Sequence, residues 1–382
     1  MDPLLYRKAW ININLAAISA NINQLKKQLP NQTAVMAVVK ANGYGHGDIQ
    51  VAQAALAAGA SGLAVALLEE AVRLRKAGIK APILVMGWVA PEFARIAIEY
   101  QITLTVFQVS WLETFKQNKI GQPLSIHLKL DTGMGRLGIR SIEELRDFMA
   151  HLAQCNINLT GVYTHFATAD EPNHDYYYKQ SSRFETLINE LKQHTTDQMV
   201  VHTGNSAAAI QHSNDMLNAV RFGIGMYGLY PSLYLKETQP ISLEPALSLH
   251  AKLTHVKKVG AGESISYGAT YTTEQEEWIG TIPVGYADGI QRGWQGLSVL
   301  INGKKMPLIG RICMDQCMVK LDQAYPIGTE VTFIGKQGNE KISMEEIAQH
   351  LGTINYEVAC LLTNRLPRFY DPSDTEGAGV NF

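Results

Sequence analysis

Cysteine is scarce. The chain of 382 residues has four, Cys155, Cys313, Cys317 and Cys360, and no CxxC pair. That spacing suits neither a zinc site nor a disulfide framework, and it points to a reduced, cytosolic setting. An excess of either charge is missing as well: 33 Lys and Arg stand against 35 Asp and Glu, for a net charge of −2. With no basic run either, nothing favours a nucleic-acid or anionic-membrane partner. No apolar run reaches the roughly 18–20 residues that span a bilayer. The stretch from Met1 to Leu15 lacks the basic-then-apolar plan of a signal peptide. Solenoid repeats and low-complexity tracts are also absent.

What is present is globular. Hydrophobic residues make up 46% and charged residues 18%, enough for a sizeable core, and the length suits two domains. From residue 34 on, short β-rich runs alternate with helix-like stretches. The runs are 34–39, 62–67, 82–86, 102–107, 124–130, 159–165, 199–203 and 218–222. Between them, helical patterns cover 48–58, 68–77, 91–99, 110–118, 141–154 and 176–193. Such alternation means βαβ units and a parallel sheet, and eight strands suggest a closed (β/α)8 TIM barrel over 12–240. By counting alone, a doubly wound open sheet stays possible. After residue 240 the pattern becomes apolar runs with Gly turns, at 246–259, 278–285, 297–301, 306–320 and 329–335. Helical patterns return at 343–351 and 356–364. This predicts a mostly β domain over 241–382, joined by the N-terminal segment 1–11. The strictly alternating run Ala9 to Leu15 should add a strand to that second sheet.

Catalytic groups of a barrel sit at the C-terminal ends of its strands. The first run ends in Lys40, and the fifth in Lys129-Leu130-Asp131 followed by TGMGR and Arg136. The sixth ends in His165, the seventh leads to Gly204-Asn205-Ser206, and the eighth ends in Arg221 followed by FGIGMYG. One lysine, several cations and two Gly-rich turns thus face one mouth. Lys40 alone reads equally as a charge closing a strand. The segment ANGYGHG after it, with three glycines, argues for close approach of a ligand. A helical turn there would put Tyr44 on the side of Lys40. Desolvation at a barrel wall eases deprotonation of a lysine, as a Schiff-base nucleophile requires. The GxG after Arg221 reads either as a plain turn or as backbone N–H groups exposed to a phosphate, and Ser206 offers a hydroxyl and a helix N-cap beside it. In HLKLD, His127, Lys129 and Asp131 share one strand face. A buried Lys129 near Arg136 needs an anion, and Asp131 is the plain choice. Too few carboxylates cluster with histidine at the strand ends to make a metal site.

These segments resemble the alanine racemase family. VVKANGYGHG is similar to that family's cofactor-lysine motif. HLKLDTGMGRLGI, YTHF, HTGNSAA, VRFGIGMYGLYP, SYGATY, PVGYADG, RICMDQ and NYEVAC follow in the family's order, from about residue 7 to 370. The resemblance implies a pyridoxal 5′-phosphate enzyme that interconverts L- and D-alanine by a two-base mechanism and supplies D-alanine for peptidoglycan. It implies a cytoplasmic head-to-tail homodimer, each site combining one subunit's barrel with its partner's C-terminal domain. Lys40 would carry the cofactor and serve one face of the substrate's Cα; Tyr267 of the partner would serve the other. Without the family, Tyr267 reads as an ordinary turn aromatic. Tyr44, Ser206, the backbone at Gly223 and Ile224, and Tyr356 would hold the phosphate. Arg221 would face the pyridine nitrogen and, keeping its own proton, leave that nitrogen unprotonated. His165 would stack on the ring or bond to Arg221; its plain reading is a core histidine capping a strand. Arg136 would bind the substrate carboxylate and the cofactor's phenolic oxygen, helped at the carboxylate by the N–H of the partner's Met314. Lys129 would be carbamylated. Tyr286, Asp288 and Asp315, with Tyr267 and Tyr356, would line an entry corridor whose tyrosines favour alanine over larger side chains.

Three rivals differ in testable ways. A broad-specificity racemase on this scaffold would be exported. A decarboxylase would need a partner cysteine, and Cys360 in NYEVACLL reads as a helical core position. A non-catalytic pyridoxal phosphate carrier would leave the second domain without a purpose.

Overall fold

The computed structural model describes residues 6–118, 121–195 and 198–370. The chain divides into two compact units. One comprises Ala16–Gly43 and Asp48–Pro245; the other comprises the chain up to Leu15, the tetrapeptide Tyr44–Gly47 and the chain from Ala246 on.

The first unit is a closed barrel of eight parallel strands. In order these are Ala34–Val38, Gly62–Val65, Ile83–Val85, Thr103–Val106, Leu124–Lys129, Ile157–Tyr163, Val200–His202 and Ala219–Phe222. Every run expected from the sequence forms one of them, which removes the open-sheet alternative. The strands read as near-continuous apolar stretches because both faces are covered. Gly62–Val65, Ile83–Val85 and Ala219–Phe222 are buried throughout. The barrel closes through Ala34–Val38 pairing in parallel with Ala219–Phe222. Helices such as Asp48–Ala57, Leu68–Lys76, Ile142–Leu152 and Asp175–Leu191 form where apolar residues recur at helical spacing. Ser141 starts Ile142–Leu152 by accepting the N–H of Glu144 at 3.2 Å.

The second unit is built on a 10-stranded sheet. The N-terminal strand Ala9–Ile13 joins it as expected, antiparallel to Leu247–Lys252 and parallel to Arg368–Phe369. The run at 306–320 proves to be two strands, Lys304–Ile309 and Cys317–Leu321. Gly310 separates them with φ +64, and a side chain there would lie 2.9 Å from the carbonyl of Ile265. The loop it starts carries Arg311, Cys313, Met314 and Asp315. Among the described residues, no helix is long and apolar enough to cross a membrane.

Candidate active site

The expected site residues divide between the two units. In the barrel, Lys40 follows the first strand and opens a helical turn of unexpected hand. Ala41, Asn42, Gly43 and Tyr44 all have φ between +51 and +60. The turn is left-handed, so the right-handed i, i+4 argument for Tyr44 does not apply. Three of those residues are not glycine, and each costs roughly 1–2 kcal/mol in this conformation. The surroundings hold it: Gly43 N–H donates to Val39 O at 3.0 Å. The buried carboxylate of Glu70 accepts from Ala41 N–H at 2.6 Å while also accepting from Ala66 and Leu67. Sequence reasoning passed over Glu70, whose only signal is a place in the first turn of a helix.

Arg221 is the centre of a buried network. One terminal nitrogen donates to His202 Nδ1 at 2.8 Å and to His202 O at 3.2 Å. The other donates to Thr164 O at 2.8 Å, Thr203 O at 2.9 Å and His165 Nδ1 at 3.3 Å. Because Arg221 donates to Nδ1 of His202, the ring proton of His202 sits on Nε2 and is given to His127 Nδ1 at 2.9 Å. Every acceptor of Arg221 is neutral. Burial, with Arg221 beside them, lowers His127 to about 4 and holds His202 and His165 well below the ordinary histidine range. Burial lowers Arg221 to about 10, so it remains a cation at neutral pH. Its Nε–H makes no hydrogen bond among the described residues and is the donor left over. Tyr163 lies under this group, 5.0 Å from the guanidinium to its ring centroid, stacked on His202 and bonded to Thr105 Oγ1 at 2.9 Å. Sequence reasoning missed Tyr163, His202 and Thr105; the period-2 alternation of YTH and VVH into the barrel was the available signal.

Lys129 is buried, with Nζ donating to Leu130 O at 2.7 Å and lying 5.2 Å from the Tyr163 ring centroid. Burial and the charges of Arg221 and Arg136 bring its amine down to about 7, against an opposing pull from Asp131. Asp131 does not pair with it. Its carboxylate turns into its own loop, accepting from Gly133 N–H at 3.1 Å and Gly135 N–H at 3.0 Å, with Arg140 3.7 Å away. Those two bonds shape the loop that ends in Arg136. The exposed guanidinium of Arg136 makes no hydrogen bond or ion pair among the described residues.

The phosphate-like cradle has one correction. Asn205, not Ser206, caps the helix Ser206–Gln211, accepting from Ala208 N–H at 3.0 Å. Ser206 is that helix's first residue, and its buried Oγ accepts from Gly223 N–H at 2.9 Å and Gly225 N–H at 3.3 Å. Both lone pairs being taken, its own proton is free to point at an anion. The N–H of Ile224, at the start of a helical turn, has no intrahelical acceptor.

In the second unit, Tyr44 is buried with its ring centroid 6.2 Å from that of Tyr356, and burial raises its pKa above the ordinary tyrosine range. Tyr267 stands on a tight turn and is 72% exposed. Ser266, at φ +68, anchors that turn through Oγ to Arg311 O at 2.6 Å. Met314 is 53% exposed, and its carbonyl accepts from Ala287 N–H at 3.0 Å. Its own N–H makes no hydrogen bond among the described residues. Tyr286 sits on the adjoining turn, which Asp288 fixes. Asp288 is fully buried, bidentate to Arg7 at 2.7 and 2.8 Å, and accepts from Gly285 N–H at 2.9 Å. It holds the Tyr286 turn. Asp315 is exposed and pairs with Arg365 at 2.6 Å.

Among the described residues no group of three or more His, Cys, Asp or Glu is arranged to hold a metal. Residues 13–231 match the family model for the alanine racemase N-terminal domain, and 246–370 the one for the alanine racemase C-terminal domain. Alanine racemase 1 of Bacillus subtilis is 52% identical over 366 residues, 96% of this chain and 93% of its own. The alanine racemase of Geobacillus kaustophilus is 53% identical over 367 residues, 96% and 95% of the two chains. The crystal structure of alanine racemase from Bacillus anthracis with bound L-Ala-P superposes with TM-score 0.94 at 47% identity, covering 96% of this chain and 95% of that one.

Proposed function

The chain belongs to the alanine racemase family, whose activity is the interconversion of L- and D-alanine, and from that premise we propose how its own residues carry out the exchange. The family depends on pyridoxal 5′-phosphate, and the barrel fits that group. The observation that carries the reading is Arg221. A buried cation with five contacts to neutral acceptors and none to a carboxylate keeps one donor, Nε–H, for a further acceptor. A pyridine nitrogen is such an acceptor. Ser206 and the turn at Gly223 and Ile224 suit the phosphate, with Tyr44 and Tyr356 as further hydroxyl donors. Lys40 supplies the amine that links the cofactor.

When bound, the cofactor supplies the electron sink that acidifies the Cα–H of alanine. Arg221, staying protonated at neutral pH, would hold the ring nitrogen of the bound cofactor by a hydrogen bond without giving up its proton, which would favour return of the proton to Cα. Lys40 moves the proton on the face used by D-alanine, and Tyr267 of the partner subunit on the face used by L-alanine. His165, kept neutral by burial and by the charge of Arg221 beside it, adds no competing charge. Arg136 takes the substrate carboxylate together with the N–H of the partner's Met314. Lys129, half uncharged near neutrality, is the amine that reacts with CO2, and its carbamate offsets Arg136 and Arg221. Tyr286 and Asp315 flank the substrate's entry.

The site is completed by a second copy of the chain, as a homodimer. Among the described residues Cys155, Cys313, Cys317 and Cys360 form no disulfide, which suits the reducing cytoplasm where D-alanine for peptidoglycan is made. The test is an absorbance spectrum of the purified protein followed by L-alanine in deuterated water. A pyridoxal band and D-alanine deuterated at Cα are expected. A band without racemisation would transfer the reading to another substrate, and no band would remove the cofactor.

A further inference from the structure

We infer that the helix Asp175–Leu191 is the brace that sets the position of Arg136, with Gln180 as its central positioning residue and Tyr176 as its outer one. The inference rests on the reading that Arg136 takes the substrate carboxylate. Three side chains spaced four and then three residues apart lie along one side of that helix. All three grip the loop that leads to Arg136. Tyr176 Oη donates to Gly133 O at 2.8 Å. Gln180 Nε2 donates to Thr132 Oγ1 at 3.4 Å and to His165 O at 3.1 Å, while its Oε1 accepts from Ala167 N–H at 2.9 Å. Arg183 donates to Thr132 O at 3.3 Å.

Gln180 is fully buried, and all of its partners are at strand ends of the barrel. It therefore ties the loop after the fifth strand to the loop after the sixth, which carries His165. A hydrogen bond of 2.9 Å between the hydroxyls of Thr132 and Thr164 closes the same seam. The loop is shaped around the brace: Gly133 has φ +146, and a side chain there would lie 2.7 Å from Tyr176 Oη and 3.2 Å from Gln180 Cγ. Asp131 cinches the loop from its own strand end through Gly133 and Gly135.

Arg136 itself makes no hydrogen bond among the described residues, so, beside the charge of a Lys129 carbamate, its placement depends on this backbone. A guanidinium held before the substrate arrives loses less freedom on binding. Loosening the brace should therefore weaken carboxylate binding and leave proton transfer alone. The enantiomers have equal free energy, so kcat/KM must change by the same factor in both directions for any variant. The informative quantity is the split between KM and kcat.

The experiment measures kcat, KM for alanine and the inhibition constant of acetate, a carboxylate with no reacting Cα, in the dimeric holoenzyme. Tyr176→Phe keeps the ring of a partly exposed residue and loses one neutral hydrogen bond, for a rise of about fivefold in KM and in the acetate constant. Gln180→Met removes the buried amide, for about tenfold or more. In both variants kcat should stay within about twofold. Arg136→Leu is the control for the underlying reading. If it raises both constants while Tyr176→Phe and any folded Gln180→Met leave them unchanged, the brace is overturned, whatever happens to kcat. If Arg136→Leu itself leaves both unchanged, the carboxylate role fails and the brace loses its object.

Discussion

At the scale of single residues, Lys40 and Lys129 are proposed for different tasks. Lys40→Ala should abolish the pyridoxal absorbance band and the activity together; normal turnover with retained colour would take Lys40 out of its role. Lys129 is set up by its surroundings. Its amine titrates near 7 in the folded chain against 10.5 for an ordinary lysine. The cost of burying its charge is therefore full below pH 7 and eases as pH rises from 7 toward 10.5. Carbamylation consumes the uncharged amine, so it belongs to the same side of pH 7. With 13C-bicarbonate at pH 8 a carbamate carbon resonance should appear, vanish below about pH 6 and be absent from Lys129→Arg. No resonance at saturating bicarbonate would leave Lys129 an ordinary buried amine. The sequence showed that HLKLD points a charge inward, but not that Asp131 turns away from Lys129 to shape its own loop. That choice depends on where Gly133 and Gly135 place their N–H groups, which no strand periodicity encodes.

At the scale of elements, strands were easier to read than turns. Eight barrel strands come from eight apolar runs because most of their residues are buried on both faces. The single run at 306–320 became two strands because Gly310 reverses φ, and the loop so released carries Met314. The left-handed turn after Lys40 was hidden for the complementary reason: Ala41, Asn42 and Tyr44 adopt it against their own preference, held by Glu70 from another helix. The chain Arg221–His202–His127 is likewise a product of three strands meeting and has a consequence for pH. His127 is lowered from 6.5 to about 4. The unfolded chain binds the extra proton first, so stability is present above pH 6.5 and is lost as pH falls toward 4. The shift corresponds to on the order of 3 kcal/mol from this one ring. Chemical denaturation between pH 7 and 4.5 should show that decline, and His127→Asn, which cannot charge, should make it shallower by this share while His202 and His165 keep theirs. An equal slope in the variant would place the acid sensitivity elsewhere.

At the scale of the whole molecule, the features left on the surface are the informative ones. Tyr267, Met314 and Tyr286 are 72%, 53% and 42% exposed on the second unit, although each is assigned to a water-excluding reaction. A ring so open to solvent is not yet enclosed for chemistry that excludes water. A second copy of the chain would supply what is missing: cover for the ring and cations around it. A mixed-dimer experiment separates this from a site made within one chain. Lys40→Ala and Tyr267→Ala are each expected to be inactive alone. In a head-to-tail hybrid, one site receives both substitutions and the other receives neither. Random reassociation of equal amounts makes half of the dimers hybrid, so about a quarter of the wild-type activity should return. Recovery should grow with the time allowed for subunit exchange and fall on dilution below the dimer dissociation constant. If Lys40 and Tyr267 worked within one chain, every hybrid site would carry one lesion, and mixing would restore nothing.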